Sequence, residues 1–205
     1  MSVQTKKATL ITVIVLIILI SVVYLIFINN KKNDEIIVRS SAAWIYPYSS
    51  AEELLNDSNV HLVVEATVTP NSAPYKISYE GPANVVVNRT LTDIRVERIL
   101  KNVKGDVQAN QVIPIIETTA FIQDEKLGKI ETPLEDYRKA QSGLKYMFLL
   151  SWNAQEQKYH VAGAHYGKYN LDNRDARETE VEKHNEGYAK LKKDIVANAS
   201  KILSK

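Results

Sequence analysis

The sequence predicts a mainly β domain, a small Greek-key barrel with flanking helices, standing behind one N-terminal membrane-crossing helix. Three observations predict it. Residues 10–28 form an apolar run without a charge, a Gly or a Pro, interrupted only by Thr12, Ser21 and the hydroxyl of Tyr24. Between residues 50 and 171, stretches rich in β-branched and aromatic residues alternate with Gly, Pro and Asn turn signals. Beyond residue 173 the apolar spacing changes to threes and fours, the period of a helix.

The apolar run is long enough, at about 1.5 Å rise per residue, to cross a hydrocarbon core of about 30 Å. Lys6 and Lys7 precede it, and residues 29–34 follow it with no small residues for a signal protease. An uncleaved signal anchor is therefore favoured over a cleaved signal. Lys31 and Lys32 nearly balance Lys6 and Lys7, so the short tail, which tends to stay inside, decides the orientation. The expected organisation is a cytoplasmic tail at 1–8, an anchor at 9–29, a juxtamembrane linker at 30–49, an extracellular barrel at 50–171 and an amphipathic helix at 172–205. Trp44, Tyr46 and Tyr48 either rest at lipid headgroups or pack on the domain.

The formal charge is +2, and Lys6 and Lys7 account for it, so residues 31–205 are neutral. That balance disfavours broad capture of nucleic acid. The chain has no Cys, which removes disulfides, thiolate catalysis and thiolate metal sites.

Each element has its own signal. Ser50, followed by Glu52 and Glu53, marks the start of a short helix. Residues 61–68 read as a strand, and Pro70, Pro74 and Pro82 punctuate a loop around a short strand at 75–79. Residues 85–100 read as a long strand. Residues 111–117 form another, with Pro114 marking an edge or a bulge. Residues 118–143 look irregular, with a helical turn beginning at Pro133. The run 144–152 is the most apolar of the domain and reads as a buried central strand. It turns at 153–157 and returns at 158–164, with bends at Gly163 and Gly167. In the tail, Val181, His184, Tyr188, Leu191, Ile195, Asn198 and Ile202 form a heptad seam. A single helix docked on its own barrel is favoured over a self-pairing coiled coil.

Five strands in this order suit a barrel of OB type. The succession of residues 51–54, 63–68, 92–101, Lys104-Gly105, 142–150, Gly163 and Gly167-Lys168-Tyr169 resembles the barrel domains of many exported Gram-positive proteins. In strand order it is similar to the netrin and tissue-inhibitor-of-metalloproteinase barrel. The resemblance spans residues 50–171 and implies fold alone, because this chain lacks the cysteines through which those inhibitors act.

No phosphate loop, zinc motif or nucleophile elbow occurs, so no catalytic residue, metal or cofactor is assigned. His160 and His165 lie five apart and lack further ligands. Glu131, Glu135 and Asp136 match no calcium loop and read as a solvated segment. The candidate ligand residues are Tyr75, Tyr79, Tyr166 and Tyr169, as stacking surfaces, with Arg89, Arg95, Arg98 and Lys101. Tyr166 and Tyr169 are expected to be the most exposed of the aromatics. Val181, Tyr188, Leu191, Ile195 and Ile202 are the candidate contacts for a partner or a second copy. The expected function is a non-enzymatic binding module with a protein or envelope partner. Single-stranded nucleic acid or glycan is the alternative ligand.

Overall fold

The computed structural model describes residues 19–22, 37–40, 48–79 and 85–204. Residues 19–22 are helical, with Leu19 and Ile20 exposed. The rest of the expected anchor at 9–29 lies outside the described residues, as do Trp44 and Tyr46. Among the described residues no helix is long and apolar enough to cross a membrane.

The fold is mainly β with flanking helices. In chain order the elements are β1 (Ile37–Val38), α1 (Ala51–Asn56), β2 (Leu62–Tyr79), β3 (Val85–Asn102), β4 (Val112–Glu117), β5 (Thr119–Asp124), β6 (Gly128–Pro133), β7 (Lys145–Asn153), β8 (Lys158–Val161), β9 (Lys168–Asn170), α2 (Ala176–His184) and α3 (Glu186–Leu203). A 3-10 turn, Ala164–Gly167, precedes β9. Two compact units are present. One gathers Gln123–Ile130, the tip of the β5–β6 hairpin, with the described residues up to Ile37. Its turn is tied by Asp124 Oδ1, which accepts from the Lys126 and Leu127 amides at 2.8 and 2.9 Å. The other comprises Val38–Ile122 and Glu131–Lys205 and contains all that follows.

The main sheet runs β2-β3-β4-β8-β7-β9, and β2 also pairs with β7. The pairings therefore form a circuit from β2 through β3, β4, β8 and β7 back to β2. All are antiparallel except β4–β8, which is parallel. Alternation sends Leu62, Val64, Ala66, Ile94, Val96, Ile113, Ile115, Tyr146, Phe148 and Leu150 into one core cluster. Met147 and Leu149 point the other way, into a second cluster with Leu54, Leu55, Tyr169, Tyr188, Leu191 and Ile195. β7 is thus buried on both faces, which is why its sequence is continuously apolar rather than alternating.

Ser50 caps α1 by accepting from the Glu53 amide at 3.1 Å, and Glu53 accepts from the Ser49 amide at 2.7 Å. β2 is longer than the sequence suggests. Its prolines fit because the β2–β7 pairing ends at Thr67, so the distal half is open on one side. Pro70 falls in the bulge between Val68 and Ser72, and Pro74 pairs with Thr90 on the open half. Within the expected irregular stretch 118–143, residues 119–133 are corrected to the β5–β6 hairpin, residues 133–137 form the end of β6 and a turn rather than a helical turn, and the remainder to 143 is irregular as expected.

Gly163 adopts φ +57, which favours glycine. At Gly167 a Cβ would lie 2.1 Å from the Ala162 carbonyl oxygen, so only glycine lets the two backbones approach. The tail is two helices, not one. Asn185 is non-helical at φ −130, ψ 86, and its side chain accepts from the Tyr188 amide at 2.9 Å to start α3.

Candidate functional site

The distal halves of β2 and β3 form a two-stranded ribbon in which Tyr75 pairs with Arg89. The Tyr75 hydroxyl donates to the Glu156 carboxylate in the β7–β8 turn. That bond raises the Tyr75 pKa, with burial and the Glu156 charge adding to it. The turn itself is fixed by Asn153 Oδ1, which accepts from the Gln155 and Glu156 amides at 2.9 and 3.1 Å. The Lys158 ammonium lies 5.6 Å from the Tyr75 ring centre. Burial depresses the His160 imidazole, with the Glu156 charge opposing and the Arg89 charge adding to it. Burial likewise lowers Arg89. One region thus gathers an aromatic ring, two cations, an imidazole and a carboxylate from β2, β3, β8 and the β7–β8 turn.

The other predicted residues lie elsewhere. Tyr79 is 45% exposed at the far end of the ribbon. Arg95 is exposed farther along β3. Arg98 binds Glu65 at 3.2 Å and Ser200 at 2.8 Å. Lys101 donates to the Leu55 and Asp57 carbonyls at 3.0 and 3.5 Å, at the C-terminal end of α1. Arg98 and Lys101 therefore serve the chain itself, and the run of bases along β3 makes no single patch. Tyr169 is corrected from exposed to fully buried, and Tyr166 is half-buried with its ring centre 5.9 Å from Tyr48. Tyr48 packs on the domain and donates to Asp57 at 2.7 Å. Val181, Tyr188, Leu191 and Ile195 are buried in the chain's own second core cluster, with Ile202 packed against it. In this arrangement they present no seam to another chain.

A second concentration of polar groups lies beneath the helices, and sequence reasoning missed it. Glu117 and Glu131 are fully buried, so the expectation of a solvated segment fails at Glu131. Glu117 accepts from Thr92, from the Tyr137 hydroxyl at 2.7 Å and from the Ala140 amide at 2.7 Å. Glu131 accepts from Arg177, from Thr119 at 3.2 Å and from the Lys139 amide at 3.0 Å. Both carboxylates are satisfied by the protein. Among the described residues no group of three or more His, Asp or Glu could hold a metal ion.

Beside them Lys168, 2% exposed, lies 3.6 Å from Asp175 and 3.5 Å from Glu178. Lys192 binds Glu178 at 2.8 Å and Glu182 at 2.7 Å. Asp175 also accepts from the Tyr146 hydroxyl at 2.8 Å and from Gln141 at 2.6 Å, and it caps α2. Lys168, Glu178, His165 and Tyr188 line a cavity whose space for water centres is about 10 Å³. That is room for about one water molecule, too small for an organic ligand. The network fastens α2 and α3 to β7 and β9, a structural role.

His165 has neither ring nitrogen hydrogen-bonded, and burial depresses its pKa despite Asp136 and Glu135. A folded pKa below the unfolded value of about 6.5 gives stability that is full above that value and is lost as pH falls through the folded pKa. His160 adds in the same direction. Urea midpoints should therefore fall between pH 7 and pH 5, and His165→Leu should flatten part of that slope. An unchanged slope in the variant would remove His165 as a cause.

The chain matches no protein-family model, and no curated protein matches it.

Proposed function

We propose that the chain is a non-enzymatic binding module of the cell envelope. In this reading it is an OB-type Greek-key barrel, held by a single-pass anchor at residues 9–29 with the barrel outside. Its ligand lies on the outer side of β3 and β4, beside the β7–β8 turn. The observation that carries the reading is the pairing circuit β2–β3–β4–β8–β7–β2 with its one parallel pair. Five strands connected in that way have the connectivity of an OB barrel. Barrels of that type bind ligands on strands two and three and on the loops after strands one and four. Counted along this chain, those are β3, β4, the β2–β3 ribbon and the β7–β8 turn. The Tyr75–Glu156 bond joins the last two.

The near-neutral charge of residues 31–205 favours an envelope polymer or protein over nucleic acid. The anchor reading is supported by the apolar run itself. Hydrogen exchange on the full chain in mild detergent tests the site. Soluble peptidoglycan fragments should slow exchange on residues 86–95 and 112–116, and raising salt from about 50 to 200 mM should leave the effect largely intact. Protection only by a single-stranded oligonucleotide, lost steeply over that salt range, would establish the nucleic-acid alternative instead.

A further inference from the structure

Three polar groups at one end of the proposed ligand face have donor capacity to spare, and two of them lack any partner. Thr118 Oγ1 and His160 Nε2 are buried and make no hydrogen bond. Arg89 is part-buried, and its one hydrogen bond goes to the neighbouring Asn88 carbonyl at 3.1 Å. Among the described residues it makes no ion pair with a carboxylate. Sequence separates these three residues, but strand register joins them. Thr90 pairs with Glu117, and Ile116 pairs with His160. Arg89 and Thr118 are the next residues outward from the Thr90–Glu117 pair. Thr118 also follows Ile116 by two. With strands about 4.8 Å apart and alternate residues about 6.7 Å apart, the three stand on one face of β3, β4 and β8, with Thr118 on the middle strand about 8 Å from His160 along the backbone and Arg89 reaching in from the far side on its long side chain.

A buried hydroxyl oxygen or ring nitrogen without a partner is costly to keep. All three can donate: a planar fork of N–H groups, an O–H and a ring N–H. That donor set suits an anion with several oxygens, which Arg can engage through two parallel bonds. Lys158 adds a second cation on the rim. The acid of this region, Glu156, is engaged by the Tyr75 hydroxyl.

We propose that Arg89, Thr118 and His160 form a binding site for an oxyanion, a phosphate or carboxylate group carried by the ligand. This deepens the binding-module reading and rests on it. The test is titration of the full chain in detergent with inorganic phosphate and, separately, with acetate, followed calorimetrically and through the His160 imidazole signals. Saturable one-site binding is expected. It should weaken at least tenfold in Arg89→Gln and in Thr118→Val, and stay unchanged in Lys190→Gln on the exposed side of α3. The two substitutions on different strands keep the test valid if one fails to fold, which thermal unfolding will show. Absence of saturable binding to both anions, or equal weakening in Lys190→Gln, overturns the proposal. If the anions fail while peptidoglycan fragments still protect β3 and β4, the oxyanion site alone falls. If both fail, the binding-module reading falls with it.

Discussion

Truncation after Leu171 is expected to unfold the domain, not merely to free the helices from a folded sheet. Val181, Tyr188, Leu191 and Ile195 are all buried against α1, β7 and β9 in the second core cluster. Fully burying a Leu, Ile or Val side chain is worth about 1.5–3 kcal/mol. The lost contacts therefore sum to several kcal/mol, comparable with the whole stability of an ordinary domain, about 5–15 kcal/mol. Removal also uncovers Tyr169, Met147 and Leu149 and leaves Lys168 without Asp175 and Glu178. The truncated chain should lose near-ultraviolet dichroism and amide protection in β7. A truncated chain that keeps both and loses only self-association would instead make α2 and α3 a coiled-coil arm.

Lys168→Met carries the second large effect. The ammonium sits between Asp175 and Glu178 and over the Tyr146 ring, with its centroid 4.8 Å away. Methionine keeps the apolar stem and removes the charge, so two buried carboxylates face each other. Lys192 is left to neutralise Glu178, and Gln141 and Tyr146 still donate to Asp175. Breaking a buried pair at one partner costs about 3–5 kcal/mol, and these remaining partners put the expected loss near the lower end. Urea denaturation should show a fall of about 3 kcal/mol with an unchanged slope. A loss below about 1 kcal/mol would mean that the network does not hold the helices.

The parts legible in the sequence were those whose burial is apolar. β7 announced itself because it is buried on both faces. The start of α1 was readable from Ser50 and Glu53, whose side chains make the cap. The β5–β6 hairpin was not readable, because its inward positions include Thr119 and Glu131, which hydropathy assigns to solvent. The break between α2 and α3 hides behind an unbroken three-four spacing, since Asn185 alone interrupts the helix. Tyr169 was misplaced because a tyrosine between Gly167 and Asn170 carries no sign of which way it faces. Its aromatic neighbour Tyr188, stacked at 5.5 Å, comes from the far end of the chain. Of the candidate ligand residues, Tyr75 and Arg89 meet across the ribbon, whereas Arg98 and Lys101 turn to partners of their own. The placement of Arg89, Thr118 and His160 on one face depends on register between three strands, which no local pattern encodes.

An envelope function requires the domain to stand outside the membrane, and the absence of cysteine makes that directly measurable. Ser204→Cys places a single thiol at an exposed position just beyond α3. Intact cells are treated with a membrane-impermeant maleimide, with lysed cells as the control. The account predicts labelling in intact cells equal to that after lysis. Labelling only after lysis would put the domain in the cytosol, reverse the anchor and contradict an envelope function.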